Sequence, residues 1–227
     1  MCIRDRLGSP DNVLIGLNGK WNFLERFQLY GQFLLDEFNF TELFVERRGW
    51  WANKYGYQAG IKYIDAFDID QLDLQLETNT VRPYTYTHFD STSVYNHFQQ
   101  PLAHPAGANF REFIGILKYQ PVKNLFLEIR AISMRGGESA PGFNWGDNII
   151  LSSDTREQNF NNELFQGETF NTFTLSGTLS HQLFHNCFAD LNYYQRNKDS
   201  ILDSFDQETT YIGLGFRLNS GLLRLDY

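Results

Sequence analysis

Hydrophobic and polar residues alternate along most of this chain with a period of two. Between Phe27 and Leu35, the residues Phe27, Leu29, Gly31, Phe33 and Leu35 share one parity; Gln28, Tyr30 and Gln32 take the other, with Asp36 following. Successive side chains of a strand point to opposite faces, so this pattern predicts a strand with one apolar and one largely polar face. Its length suits the ~9–11 residues of a tilted strand that crosses a bilayer. The same alternation sets Val13, Ile15 and Leu17 against Asn12, Asn18 and Lys20, and Tyr55, Tyr57, Ala59, Ile61 and Tyr63 against Lys54, Gln58 and Lys62. Leu72, Leu74 and Leu76 oppose Asp73, Gln75 and Glu77, and Leu125, Leu127, Ile129 and Ala131 oppose Glu128 and Arg130. Phe173, Leu175 and Leu179 oppose Thr172, Thr174 and Thr178, and Ile212, Leu214, Phe216 and Leu218 oppose Tyr211 and Arg217. Weaker versions lie at 110–119 and 187–194. The expectation is an all-β antiparallel meander of about nine or ten strands.

The spacing between these segments alternates as well. Short links are expected near 22–26, 64–69, 120–124 and 183–186, and long ones at 38–53, 82–109, 135–167 and 197–207. A soluble sandwich has no reason to keep every second connection long, whereas an outer-membrane barrel keeps periplasmic turns short and external loops long. The long loops are therefore expected to face outward, and the charges of the polar parity (Lys54, Lys62, Asp73, Glu77, Glu128, Arg130, Arg217) to line the lumen, solvated or paired. The competing architecture is a soluble lectin or sandwich with its apolar faces in a dry core.

Composition supports the barrel. No stretch approaches the ~20 apolar residues of a spanning helix. Aromatics make up 16% of the chain while mean hydropathy is only -0.41, a pairing that suits one lipid face, one wet face and aromatic girdles, although sugar-binding sandwiches share it. A net charge of -8 sets nucleic acid aside, because phosphate binding needs a Lys/Arg excess. Cys2 and Cys187 define neither a disulfide framework nor a thiolate metal site.

The first six residues, MCIRDR, look like translated sequencing adaptor, and no signal peptide follows them. The expectation is that residues 1–6 are an artefact and that 7–227 is a single partial barrel domain, the C-terminal part of a larger one. At the other end, 219–221 reads either as a turn followed by an ascending strand or as a bulge in the last strand. Leu223, Leu225 and Tyr227 resemble the C-terminal assembly signal of such barrels, which favours the bulge.

Few residues suggest chemistry. APGFNWGDN around Trp145 and ERRGWWANK with Trp50 and Trp51 place flat rings beside amides and carboxylates, which suits stacking of sugar C–H faces. Tyr84 and Tyr86 join them as glycan-binding candidates. The alternative is that these rings pack the loops or form an aromatic girdle, to which Trp50 and Trp51 are best suited. His88, His97 and His104 share one long loop, but their spacing matches no usual ligand pattern, and no metal or other cofactor is expected. Ser180 and His181 are adjacent and so face opposite ways on a strand. With no nucleophile elbow, P-loop or dinucleotide fingerprint, no catalytic residue is expected.

The run QPLAHPAGANFREFIGILKYQP at 100–121 resembles the Wzi-like capsule-assembly and RemB-like gliding-motility family of outer-membrane β-barrels. NVLIGLNGKWNF, RFQLYGQFLLDEF and LQLETNTVRPYTYTH are similar to the same family. The resemblance implies a bacterial outer-membrane location with lipid around the barrel and a non-enzymatic role: binding, anchoring or helping to assemble surface or capsular polysaccharide. It leaves open action through motility or secretion proteins, and a passive diffusion pore is a third alternative. His104, Pro105, Gly107, Asn109 and Phe110 transfer only as a family signature of unknown purpose.

Overall fold

A computed structural model describes residues 12–90, 93–202 and 205–219 of the chain. Nine strands form one antiparallel sheet in which each bonds to the next: β1 (Ile15–Phe23), β2 (Phe27–Glu37), β3 (Lys54–Tyr63), β4 (Leu72–Val81), β7 (Phe110–Val122), β8 (Leu125–Glu138), β9 (Glu168–Phe184), β10 (Cys187–Ser200) and β11 (Gln207–Leu218). A separate two-stranded hairpin, β5 (Asn96–His97) with β6 (Gln100–Pro101), lies in the connection between β4 and β7. Each of the nine alternating sequence segments falls on one strand of the large sheet, although Val13 precedes β1. The sheet is open, with β1 and β11 as its edges. The adaptor-like residues 1–6 and residues 220–227, which would decide between turn and bulge, lie outside the described residues.

The antiparallel order puts the short connections (24–26, 64–71, 123–124, 185–186) at one end of the sheet and 38–53, 82–109, 139–167 and 201–206 at the other. Two of the long loops begin later than expected. The third loop begins at 139 because β8 continues through Arg135, Gly136, Gly137 and Glu138, paired with Asn171, Phe170, Thr169 and Glu168. The fourth connection is only 201–206, because β10 continues through the polar run Asn197 to Ser200. In both places polar residues extend the ladder, so alternation of hydrophobicity fades before the strand does. Glu138 and Glu168 face each other across the ladder, and Lys198 Nζ lies 2.6 and 2.7 Å from the two Glu138 carboxylate oxygens, offsetting that repulsion.

Because register follows the period of two, one face collects the apolar parity of every strand. A row across it reads Trp21, Leu29, Ile61, Leu76, Gly115, Ala131 and Leu175 before ending on the polar Gln195 and Thr210; the next reads Phe23, Phe27, Tyr63, Leu74, Leu117, Ile129, Gly177, Tyr193 and Ile212. This face is bare: Leu76 is 63% exposed, Phe113 58% and Leu214 85%. No second sheet of comparable size covers it among the described residues, so it lacks the dry core of a sandwich. Near the short-turn end its rings stack in a row, Trp21 on Phe23 at 5.0 Å, Phe23 on Phe27 at 5.5 Å and Phe27 on Tyr63 at 4.3 Å.

The buried core lies instead on the opposite, polar face at its long-loop end. There Val81 and Phe110 of the sheet pack with Tyr86, Val94, Ala108 and Ile149 of the loops, with Leu34 and Met134 at the margin. Leu34, Val81, Phe110 and Met134 are thus apolar residues on the polar parity that the loops cover, whereas Ile114, Ile116, Phe126, Ile132 and Phe188, on the same parity, lie outside that core.

Candidate functional site

The long loops form one interlocked cap. Tyr84 N–H donates to the Gly146 carbonyl at 2.9 Å, and its hydroxyl donates to the Asn144 carbonyl at 2.7 Å. Asn161 and Asn162 N–H donate to the Arg48 and Gly49 carbonyls at 2.7 and 2.9 Å, and Arg82 donates to the Asn162 carbonyl at 2.9 Å. Ser153 N–H reaches the His88 carbonyl at 3.3 Å. Buried backbone groups need partners, and irregular loops can find them only in one another.

The resemblance motif supplies the central tie. Gly107 has φ +71, and a Cβ there would lie 2.7 Å from the Asp147 carbonyl oxygen, so only glycine admits this approach. Asn109, fully buried with φ 61, takes the left-handed conformation that asparagine tolerates. Its side chain accepts from Phe165 N–H at 2.7 Å and donates to the Gln166 and Gly137 carbonyls at 2.8 and 3.1 Å. Phe110 is 1% exposed and its ring lies 4.5 Å from that of His104. Pro105 lies in the turn closed by Gly107 N–H on the His104 carbonyl at 2.9 Å. The motif therefore locks the second and third loops onto the sheet.

The rings singled out in the sequence divide. Tyr84 is fully buried and Tyr86 is 5% exposed, so Tyr84 is not displayed to a ligand and Tyr86 offers only the part that lines a cleft. Burial pushes both phenols up to about 12, for Tyr86 with the Asp36 carboxylate adding to it. Trp51 is no free girdle residue: Arg156 lies 4.3 Å over its ring, Lys54 5.0 Å, and Tyr84 meets it edge-on at 6.1 Å. Trp50 packs edge-on against Trp51 at 6.3 Å. Trp145 is half-buried, with its carbonyl accepting from Gln166 at 2.7 Å and its ring against Gly167. These five rings do not gather into one surface platform.

A different constellation does gather. On the polar face, Glu77 of β4 accepts from Tyr30 at 2.5 Å, from Gln58 at 2.9 Å, from Asn79 at 2.9 Å and from Gln75 at 3.4 Å. Asn79 also donates to Glu112 of β7 at 2.8 Å, and His104 Nε2 lies 2.8 Å from the same Glu112 oxygen. Loop 82–109 folds over these groups and leaves a cleft of about 440 Å³, bounded by Gln32, Gln58, Glu77, Asn79 and Glu112 below and Tyr86, Tyr95 and His104 above. Sequence reasoning placed Glu77 on the inward face but missed its partners. The signal was present, since Gln32, Gln58, Glu77, Asn79 and Glu112 share the polar parity of three consecutive strands and their neighbour.

Other inward charges are mostly paired: Glu128 with Lys118 and Arg130 at 3.6 and 3.1 Å, and Arg217 with Asp190 at 3.0 Å. Lys54 is paired too, but under the loop cap rather than toward open solvent. It is 1% exposed beneath the loops, donating to the Thr87 carbonyl at 2.9 Å and pairing with Glu37 at 3.1 Å. The histidines stay apart, His88 against Phe89, His97 in the β5–β6 hairpin and His104 on Glu112. Among the described residues no three His, Cys, Asp or Glu converge on a common point. Ser180 and His181 lie on opposite faces of β9, as their adjacency requires. Searches against family models, curated proteins and solved structures found no match to this chain.

Proposed function

We propose that this chain forms part of the wall of a bacterial outer-membrane β-barrel that binds, anchors or helps to assemble surface polysaccharide. The observation that carries the proposal is the inverted polarity of the sheet: a bare apolar face and a polar face with hydrogen-bonded carboxylates and amides under a loop cap. Lipid suits the first, because it demands no covering protein, and a water-filled lumen suits the second. The stacked rings from Trp21 to Tyr63 near the short-turn end fit an interfacial girdle. Closure into a barrel requires further strands at β1 and β11, since an unpaired edge in lipid costs several kcal/mol per exposed backbone group, roughly.

The cap favours a binding role over a bare pore, because loop 82–109 lies across the polar face rather than away from it. The glycan assignment draws on the family resemblance and on the amide, carboxylate and ring chemistry of the cleft. It is tested by deleting the full-length gene in its host and fractionating cell-bound and released glycan. Release of polysaccharide into the medium is the expected result; unchanged retention overturns the anchoring role and moves motility or secretion partners to the front.

A further inference from the structure

We infer that the cleft beneath loop 82–109 is a subsite for an uncharged, hydroxyl-rich sugar residue and that it rejects carboxylated sugars. The inference rests on the proposed glycan role and narrows it to a chemical class.

Three observations carry it. First, the cleft floor offers hydrogen-bonding capacity that the protein leaves unused. Glu112 is 5% exposed, and its Oε1 takes both Asn79 and His104, whereas Glu112 Oε2 and the Asn79 side-chain Oδ1 accept nothing from the described residues. These oxygens open onto the cleft rather than being sealed in protein, so sugar hydroxyls, which donate and accept, can take the place of the water that meets them. Second, Tyr86 and Tyr95 form a wall with ring centroids 5.9 Å apart and planes 30° from parallel, apolar surface against which a pyranose can lie. The volume of about 440 Å³ falls within the ~300–1,000 Å³ usual for ligand sites.

Third, the charge is one-sided. Glu77 and Glu112 are bridged by the Asn79 amide, and among the described residues that line the cleft there is no Lys or Arg. A uronate brought here would meet two carboxylates and no Lys or Arg, and the His104 ring is already held by Glu112. Like charges placed together in a confined site give specificity by repulsion.

The test uses the full-length protein in amine-oxide micelles, which carry no sugar headgroup to compete. Titration calorimetry with maltotriose, cellotriose and mannotriose is compared with trigalacturonate at low salt. At least one neutral trisaccharide is expected to bind saturably, with trigalacturonate at least about tenfold weaker. Gln32→Ala and Tyr95→Ala should each weaken the neutral ligand about tenfold, and Glu112→Gln, which keeps the acceptor for Asn79, should narrow the gap to trigalacturonate. Equal or tighter binding of trigalacturonate, neutral binding indifferent to Gln32→Ala and Tyr95→Ala, or no binding of any neutral trisaccharide overturns the inference. Glycan retention in the deletion strain separates the two claims: unchanged retention with a cleft that binds removes anchoring alone, and lost retention with an empty cleft removes the subsite alone.

Discussion

Tyr30 and Glu77 are bonded at 2.5 Å although a whole strand lies between them. Register places Tyr30 of β2 opposite Gly60 of β3 and Gly60 opposite Glu77 of β4. A Cβ at Gly60 would overlap the Tyr30 ring, so the ring crosses β3 over the one residue that leaves it room. This glycine is covered by an aromatic neighbour, an arrangement that restores packing where glycine would otherwise weaken a strand. It also orients the carboxylate that anchors the cleft floor.

Replacing Gly60 with valine should therefore displace Tyr30 and release Glu77 Oε2. Overpacking of this kind costs roughly 1–3 kcal/mol, and the loss should appear as a lower unfolding temperature of the detergent-solubilised protein. Tyr30→Phe, which keeps the ring and removes only the hydroxyl, should cost less, about 1 kcal/mol. Equal effects of the two substitutions would show that the ring's path over Gly60 is unimportant.

Asn109 should be the most sensitive position of the loop cap. Asn109→Ala strips the acceptor from Phe165 N–H and the donors from the Gln166 and Gly137 carbonyls, and leaves a Cβ residue at φ 61. Each buried group left unsatisfied costs about 1–3 kcal/mol, so the third loop should detach while the sheet persists. Limited proteolysis in micelles reads this directly: cleavage within 139–167 should accelerate by an order of magnitude or more, roughly, with the strands still protected. Asn109→Gly removes the conformational strain but not the lost bonds, and should rescue only part of the effect.

The contrast between sheet and cap shows what the sequence can reveal. Every strand of the large sheet was visible because alternation of side chains is local, and a face that meets one environment imposes one residue class on one parity. The cap was not visible, because its order comes from contacts between distant segments, such as Arg48 with Asn161 or Asn12 with Ser93. Trp50, Trp51, Tyr84 and Tyr86 stood as glycan-binding candidates with loop packing or a girdle as the alternative, since sequence carries no sign of which loop ring is buried. The cleft fell between the two cases. Its floor obeys strand parity, but its roof depends on loop 82–109 folding back over the sheet. Leu34, Val81, Phe110 and Met134, apolar residues of the polar parity near the long-loop strand ends, are a sequence trace of that fold-back, but Ile116, Phe126 and Phe188 on the same parity blur it.

Tyr84 gives the cap an alkaline limit. Burial raises its phenol to about 12, well above the ordinary value of 10.0, so the folded cap holds the proton more tightly than the unfolded chain does. This contribution is fully present below pH 10 and is lost as pH rises from there through about 12. Cap opening, followed by proteolysis of the loops or by tyrosinate absorbance, should therefore steepen over that window. Tyr84→Phe loses the hydroxyl's bond to the Asn144 carbonyl and should weaken the cap by about 1 kcal/mol at neutral pH, while its pH dependence in the alkaline window should flatten. A Tyr84→Phe protein that opens with an unaltered alkaline profile would assign the effect to Tyr86 or to another group.

The two faces of the sheet predict opposite responses to charge. Leu76 of β4 is 63% exposed on the apolar face, and Ser176 of β9 belongs to the polar parity, opposite Arg130 and Tyr194. If lipid meets the apolar face, Leu76→Arg places an ion in hydrocarbon at a cost of about 2–4 kcal/mol near the midplane. Ser176→Arg adds a charge to a face that already carries Glu128, Arg130, Asp190 and Arg217, and even opposite Arg130 should cost no more than about 1 kcal/mol. The fraction of full-length protein that folds into membranes, read from the mobility difference between heated and unheated samples on a gel, should fall for Leu76→Arg and hold for Ser176→Arg. In water the order would reverse or vanish, because arginine for an exposed leucine changes stability by only about 0.5 kcal/mol. Equal folding of both variants would therefore remove lipid from the apolar face and return the sheet to the soluble class.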